Sequence, residues 1–217
     1  YFAMQTAHTR LTVRARSHVE VAPVPRPVVA DARPWERATD RAALPLDALE
    51  CIFEPTRGQQ VAELAEYARS SFPPGRPLLD AVGDLTGRIY ADFTFDPKAT
   101  TVATPLGEVF KLRRGVCQDF ARLEIACLRG LGLAARYVSG YLETVPPPDR
   151  PRLLGADASH AWVGVYDPSI GWVDVDPTNN IFPSDTHVTL AWGRDYSDVS
   201  PIRGVILGGG PHSLHVS

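Results

Sequence analysis

The segment HAWVGVYDPSIGWVDVD, from His160 to Asp176, constrains the fold more than any other part of the sequence. Residues alternate in character on both sides of an Asp-Pro-Ser-Ile-Gly turn signal, which predicts two antiparallel strands joined by a short turn. Folding the strands back about Pro168 places His160 opposite Asp176 and Trp162 opposite Asp174. The residues between these positions lie on the other side of the hairpin, which we expect to pack against the core and to fix the register. They are Ala161, Val163, Val165, Val173 and Val175.

The predicted pairing of His160 with Asp176 indicates a possible catalytic site. Directly opposite residues on one face of a hairpin have Cβ atoms about 4.5–5.5 Å apart, which suits a carboxylate accepting an imidazole N–H. A carboxylate that orients a histidine, and a histidine that deprotonates a nucleophile, are two parts of a catalytic triad. The alternatives are that His160 is a structural histidine and that Asp176, which precedes Pro177, only forms a turn.

A cysteine at a predicted helix start offers the missing nucleophile. In RRGVCQDF, Cys117 opens a helix whose N-terminal N–H groups and dipole stabilise a thiolate and can bind an oxyanion. Gly115 allows a tight turn and close approach of a substrate. The alternative is that Cys117 is a small buried side chain. Asp119 is either a structural first-turn acid or a carboxylate that raises the pKa of the thiol.

The other two cysteines have no predicted catalytic role. Cys127 lies on the apolar stripe of the same helix, so we expect it to be inert. About 15 Å separates the Cα atoms of Cys117 and Cys127, too far for a disulfide, and three cysteines, with Cys51, make no even set. We therefore expect a reducing compartment and a cytoplasmic location.

The remaining sequence predicts an α+β fold with helices packed on an antiparallel β-sheet. Helical periodicity is present in QQVAELAEYARSSF, in PLLDAVGDLTGRIYADF and after Cys117, and AARYVSGYLET is typical of a strand. Residues 1–22 alternate at Leu11, Val13 and Ala15, which predicts a β-hairpin. Residues 23–56 are proline-rich and predict an extended linker, and residues 57–217 form the predicted core.

Several function classes are disfavoured by composition and by missing motifs. A net charge of −3 provides no basic surface for nucleic acid or acidic membranes. The sequence has no apolar run of the roughly 18 residues that a membrane span needs, no P-loop and no G-x-S-x-G or H-E-x-x-H motif. We expect no cofactor. A zinc site through Cys117, His160 and Asp176 is chemically possible, but no C-x-x-C or H-x-x-x-H pair supports it.

Three segments resemble the bacterial transglutaminase-like superfamily of papain-like cysteine enzymes: GVCQDFARLEIACLRGLGLAARYVSGYLET, GADASHAWVGVYDPSIGWVDVDPTNN and HVTLAWGRDYSDVSPIRGVILGGG. They fall within roughly residues 57 to 210. The resemblance implies a papain/transglutaminase-like core preceded by a β-rich domain, of which residues 1–22 look like the last strands. It also implies Cys117 as nucleophile, His160 as base and Asp176 as orienting acid. Relatives often carry tyrosine at the position of Phe95, so a hydroxyl that could serve as second oxyanion donor is missing there.

The resulting hypothesis is acyl transfer at peptide or glutamine-type amides through a thioester. We expect hydrolysis, because no acidic patch for a lysine amine is evident; transamidation and a catalytically idle binding scaffold are the alternatives. The candidates for lining the substrate cleft are Gln118, Trp162, Trp172 and Tyr141, with ordinary aromatic packing as the alternative for both tryptophans. The expected partner is a peptide or protein substrate, and not nucleic acid or a membrane. Exposed sheet edges could also drive homo-oligomer formation.

Overall fold

The computed structural model has an antiparallel sheet with one central helix packed on one of its faces, and three further helices contact that helix. It describes residues 3–6, 9–14, 16–23, 33–53, 59–145, 148–149, 152–154, 159–200 and 204–205. The helices are α1 (Leu46–Leu49), α2 (Gln59–Arg69), α3 (Leu78–Asp92), α4 (Leu106–Leu112), α5 (Cys117–Gly130) and α6 (Tyr196–Val199). The strands are β1 (Thr94–Phe95), β2 (Arg114–Gly115), β3 (Ala135–Leu142), β4 (His160–Asp167), β5 (Gly171–Val175) and β6 (His187–Gly193). No described helix is both long and apolar enough to span a membrane. The predicted α+β class is confirmed.

The four-stranded sheet has the order β5-β4-β3-β6, and all its neighbours are antiparallel. The predicted β4–β5 hairpin forms, but its register was wrong by two residues, because Gly164 rather than Trp162 pairs with Asp174. The turn is centred on Ser169, whose N–H and hydroxyl both donate to the Asp167 carboxylate, and Gly171 closes it with φ 86°. A shift of two residues preserves the alternation of faces.

Helix α5 packs its apolar stripe against the valine face of the hairpin. Phe120, Leu123, Cys127 and Leu128 are buried, as the sequence predicts, and Leu131 packs partly buried against them. They share one core with the inward residues of the sheet, namely Ala135, Tyr137, Ala161, Val163, Val165 and Val175. The sheet and α5 thus form the rigid support for residues at the start of α5 and β4.

The structure of the N-terminal residues differs from the strands and the extended linker that the sequence predicts. Within residues 3–6, 9–14 and 16–23 the structure contains no strand, so the predicted hairpin is not seen in the described part of that region. Residues 33–53 are not an extended linker, since they form two 3-10 helices and α1. Leu44, Ala48 and Ile52 pack with Ala134 in a second apolar cluster. The proposed domain boundaries at residues 22 and 56 stay predictions.

Arg129, near the C-terminus of α5, connects distant parts of the chain. Its guanidinium donates to the carbonyl oxygens of Cys51 (2.9 Å), Ala135 (2.8 Å from Nη2) and Arg194 (2.6 Å). A cation at this end of a helix also interacts favourably with the helix dipole. The side chain therefore ties the α1 region, β3 and the end of β6 to α5.

The pairing of β3 with β6 is irregular at Gly140. Ser139 pairs with Ala191 and Gly140 with Thr189, so Leu190 is bulged out of the ladder. A Cβ at Gly140 would overlap the Val188 carbonyl oxygen and the Trp162 ring. Glycine at this position of β3 leaves room for the Val188 carbonyl of β6 and the Trp162 ring of β4, which lie on either side.

Candidate active site

Cys117 lies at the first position of α5, as predicted, and its side chain is half-buried at the edge of the core. The segment before it is held by β2, which pairs in parallel with β1 and places Phe95 opposite Gly115. The Asp96 N–H donates to the Gly115 carbonyl oxygen at 2.8 Å. The Phe95 ring packs against the core, so residue 95 offers no polar group to an oxyanion.

Asp119 caps the helix that Cys117 begins. Its Oδ2 accepts hydrogen bonds from the Val116 N–H at 2.9 Å and from the Thr100 hydroxyl at 2.5 Å. The carboxylate packs so closely over Gly115 that a Cβ there would lie 2.6 Å from Oδ2. The geometry favours the structural alternative for Asp119. It also explains why residue 115 is glycine without reference to a substrate, because a side chain there would clash with the Asp119 carboxylate.

His160 and Asp176 meet although they are not directly opposite. Asp176 follows the last residue of β5, and its Oδ2 lies 2.9 Å from His160 Nε2 with both side chains fully buried. Its Oδ1 accepts the backbone N–H groups of Thr178 (2.9 Å) and Asn179 (3.3 Å). The Asn179 amide donates to Oδ2 at 2.8 Å and also contacts Leu154 of the loop before β4. The carboxylate is therefore held from several sides.

The surroundings of His160 and Asp176 favour an ion pair between the protonated imidazole and the carboxylate. Burial raises the pKa of Asp176, but the hydrogen bonds from His160, His187 and Asn179 outweigh it and hold the pKa well below its usual range. Burial alone would lower the pKa of His160, yet Asp176 and the neighbouring Cys117 thiol raise it to about 9. The Nδ1 atom of His160 is buried without a regular hydrogen bond. It is the nitrogen left for the thiol, and an imidazolium beside a thiol favours the thiolate.

His187, the first residue of β6, was not singled out by the sequence reasoning. Its Nε2 lies 3.1 Å from the same Oδ2 of Asp176 that contacts His160, and the side chain is almost fully buried. The only signal was the histidine that opens the strand pattern HVTLAWG. Its meaning depends on how β6 pairs with β3, which no local pattern reveals.

Within the described residues, the potential metal ligands that converge are His160, Asp176 and His187, with ligand atoms within 4.8 Å of one another. Cys117 is not part of that group, so the donor set of the zinc alternative considered from the sequence is not assembled. The three residues already hydrogen-bond to one another.

The four predicted cleft residues have different positions. Trp162 is fully buried behind the histidines, with its ring 6.0 Å from His160 and 5.0 Å from His187, so the packing alternative describes it. Trp172 lies at the turn end of the hairpin against Tyr166 and was wrongly grouped with the cleft. Gln118 is half-buried beside Cys117, and Tyr141 is exposed on β3.

The two other thiols are buried and free of disulfides. Burial raises the pKa of both the Cys51 and the Cys127 thiol. Cys127 lies on the apolar stripe as predicted, and these environments suppress the thiolate that reacts with electrophiles. Cys117 differs from both, because it is the cysteine at a helix N-terminus beside an imidazole.

Glu124, about two turns beyond Cys117 in α5, is a fully buried acid near this site. Burial raises its pKa to about 8, and the charge of Asp176 adds to the effect. The Thr86 hydroxyl oxygen lies 2.8 Å from the Val82 carbonyl and 2.7 Å from Glu124 Oε1. A hydroxyl has one proton, so a neutral Glu124 that donates to Thr86 satisfies both contacts.

Replacement of Glu124 by glutamine is expected to remove a pH dependence of stability. Native Glu124 keeps its proton up to about pH 8, whereas the unfolded chain releases it near the ordinary pKa of 4.5, so this group lowers stability as pH rises. The free energy of unfolding of the wild type, minus that of Glu124→Gln, should fall by roughly 2 kcal/mol between pH 5.5 and 7.5 in urea titrations. Exposed Glu108 provides the control, Glu108→Gln. A constant difference across pH would contradict the expectation.

A helix-start cysteine and a buried strand His–Asp pair, on a sheet covered by helices, define the class of papain-like cysteine enzymes. Residues 63–177 match the family model described as the transglutaminase-like superfamily. The chain belongs to the transglutaminase-like superfamily.

Relatives from other bacteria extend this comparison. The chain is 43% identical to uncharacterized protein Rv2569c of Mycobacterium tuberculosis over 222 aligned residues, which cover 99% of this chain and 70% of that protein. It is 34% identical to a protein-glutamine gamma-glutamyltransferase of Pseudomonas aeruginosa, over 64% of this chain and 22% of the relative. The crystal structure of a candidate cysteine protease from Cytophaga hutchinsonii superposes with a TM-score of 0.60 at 30% identity. That match covers 74% of this chain and 52% of the other, so the chain spans about half of that structure.

Proposed function

We propose that this protein catalyses cysteine-dependent acyl transfer at peptide or glutamine-type amides, with water as the usual acceptor. The observation that carries the proposal is the buried His160–Asp176 pair, whose free Nδ1 is available to the Cys117 thiol. The names of two relatives, a candidate cysteine protease and a protein-glutamine gamma-glutamyltransferase, support an amide as the bond that is attacked. Nothing in the packing of the core requires an imidazole and a carboxylate at these positions.

In the first half-reaction the Cys117 thiolate attacks the carboxamide carbon. The resulting oxyanion is stabilised by the backbone N–H of Cys117 at the N-terminus of α5. The His160 imidazolium donates its Nδ1 proton to the nitrogen of the leaving amine, the C–N bond breaks, and a thioester remains. Asp176 keeps the second proton of His160 on Nε2 and stabilises the cation.

In the second half-reaction the now neutral His160 accepts a proton from water at Nδ1. The hydroxide oxygen attacks the thioester carbon, the C–S bond breaks, and a carboxylic acid and the thiolate are released. A primary amine in place of water would give transamidation, the reaction named for the Pseudomonas aeruginosa relative. We propose water because the sequence provides no evident acidic patch to collect a lysine amine. The three free thiols support a reducing compartment, which we propose is the cytoplasm.

Glutaminyl peptides incubated with and without a fluorescent primary amine test the proposal. Mass spectrometry should find deamidated or cleaved peptide in both reactions, with little amine incorporated. The Cys117→Ala variant should form neither product, whereas the matched variant Cys127→Ala, which alters a cysteine of the same helix, should retain activity. Predominant amine incorporation would replace hydrolysis by transamidation. Equal product with Cys117→Ala and with wild type would refute the thioester mechanism.

A further inference from the structure

One oxygen of Asp176 contacts two imidazoles. His160 Nε2 lies 2.9 Å from Oδ2 and His187 Nε2 lies 3.1 Å from it. The rings of the two histidines are 6.0 Å apart with an interplanar angle of 63°. Neither imidazole side chain is more than 2% exposed, so solvent does not screen the three groups from one another.

The orientation of His187 is fixed on all sides. Its Nδ1 lies 3.0 Å from the Thr186 hydroxyl, which can donate to that nitrogen and leave the proton of the ring on Nε2. The ring packs edge-on against Trp162, and Gly140, on the strand between β4 and β6, has no side chain that would displace the Trp162 ring from this contact. The His187 Nε2–H therefore points at Asp176 Oδ2.

Asp176 has other hydrogen bonds besides the one from His187. Its two oxygens already receive His160 Nε2, the Asn179 amide and two backbone N–H groups. The His187 N–H adds to these four hydrogen bonds, on the oxygen that His160 also contacts. The other groups that share Oδ2 are the Asn179 amide, which does not titrate, and His160, so an effect on proton affinity falls on His160.

We propose that His187 is a positioning residue that acts through Asp176: by donating a second imidazole N–H to Oδ2, it divides the charge of the carboxylate between two imidazoles and limits how firmly His160 holds its proton. This rests on the proposed function. The positive end of the His187 N–H bond lies beside the His160 ring and opposes its protonation. A second proton on His187 would act in the same direction. Among the described residues, Asp174, which the Trp162 indole N–H binds at 2.9 Å, also interacts with His187, Glu124 interacts with Asp176, and Cys117 interacts with His160.

The proposed division of charge serves both half-reactions. His160 must hold a proton to activate Cys117 and must release it to the leaving amine and again accept one from water. A base works best when its pKa is near the working pH. Without His187, Asp176 would interact with His160 more strongly, and the neutral ring needed for thioester hydrolysis would become rarer.

Alkylation of Cys117 by iodoacetate as a function of pH tests the proposal, with each cysteine followed by peptide mass spectrometry. In the wild type the rate should rise as the thiolate–imidazolium pair forms and fall where His160 loses its proton. Cys51 and Cys127 should label far more slowly. His187→Phe, and His187→Asn with an amide too short to reach Oδ2, should move the upper limb to higher pH by about one unit. His187→Gln, which retains an N–H at the reach of Nε2, should remain near the wild type.

The results separate two kinds of failure. The role of His187 would be overturned if the pH of the upper limb were unchanged or lower in both His187→Phe and His187→Asn. It would also be overturned if His187→Gln raised that pH as much as the other two variants do. In either case the two-limbed wild-type profile, and with it the proposed function, would stand. A wild type that labels Cys117 only above pH 8, with no change in His160→Ala, would overturn the proposed function and this inference with it. Thermal unfolding identifies variants that fail to fold. Either His187→Phe or His187→Asn, if it folds, is sufficient to test the role of His187.

Discussion

Replacing Asp176 with asparagine is expected to lower kcat for a glutaminyl peptide by about 10⁴-fold, the effect of removing an orienting aspartate from a catalytic triad. The backbone N–H groups of Thr178 and Asn179 require an oxygen at the Oδ1 position. The amide NH₂ of the variant would then face His160 Nε2 and make that nitrogen an acceptor. The proton of the neutral ring would move to Nδ1. A protonated Nδ1 cannot accept the proton of the Cys117 thiol.

Asp174→Asn is the matched control for this change. Asp174 lies two residues earlier on the same strand and accepts the Trp162 indole N–H, a bond that an asparagine oxygen also accepts. Steady-state rates on one peptide should show a small loss for Asp174→Asn and the large loss for Asp176→Asn. Iodoacetate labelling should show that Cys117 loses its reactivity at low pH in Asp176→Asn alone. Comparable losses in both variants would argue for a general effect of charge on the sheet.

Gly140→Ala is expected to lower the free energy of unfolding by roughly 3 kcal/mol, the upper range for overpacking, and to reduce activity. The added methyl group overlaps the Val188 carbonyl oxygen and the Trp162 ring, and neither a backbone carbonyl nor a fully buried ring can move at low cost. Strand β6 must shift away from β3, which withdraws His187 from Asp176.

Urea unfolding and peptide hydrolysis measure both effects of Gly140→Ala. Gly204→Ala is the control, since a Cβ there meets nothing within 4 Å and the backbone has no positive φ. It should leave stability within about 0.5 kcal/mol of the wild type. A Gly140→Ala protein as stable and active as the control would show that β6 can move without disturbing the triad.

The His160–Asp176 pair was predictable because strand alternation has a period of two residues. The predicted register was wrong by two, yet both side chains stayed on the expected face and a diagonal contact replaced the direct one. The error came from the turn, where the hydrogen bonds of Asp167 to Ser169 and the left-handed Gly171 fix a centre one residue later. Sharing a face did not place Trp172 at the site, because the length of the strands separates it from His160.

The remaining features depend on long-range packing. His187 reaches Asp176 only because β6 pairs with β3 through a bulge at Gly140, and no local pattern encodes that pairing. Residues 33–53 lack a helical period, so their 3-10 helices were read as an extended linker from proline content. The role of Asp119 was left open by sequence and is decided by its contacts with Val116 and Thr100.

The hydrogen bonds of Arg129 set an order for the completion of the fold during synthesis. Residues 33–53 leave the ribosome early, but the carbonyl of Cys51 is bound by a side chain 78 residues later in the chain. The same guanidinium binds the carbonyl of Arg194, a further 65 residues on. The early segment therefore cannot reach its final position until α5 has emerged, and the junction closes only when β6 is complete. Such late closure of distant contacts slows folding and lengthens the time for which the second apolar cluster is exposed.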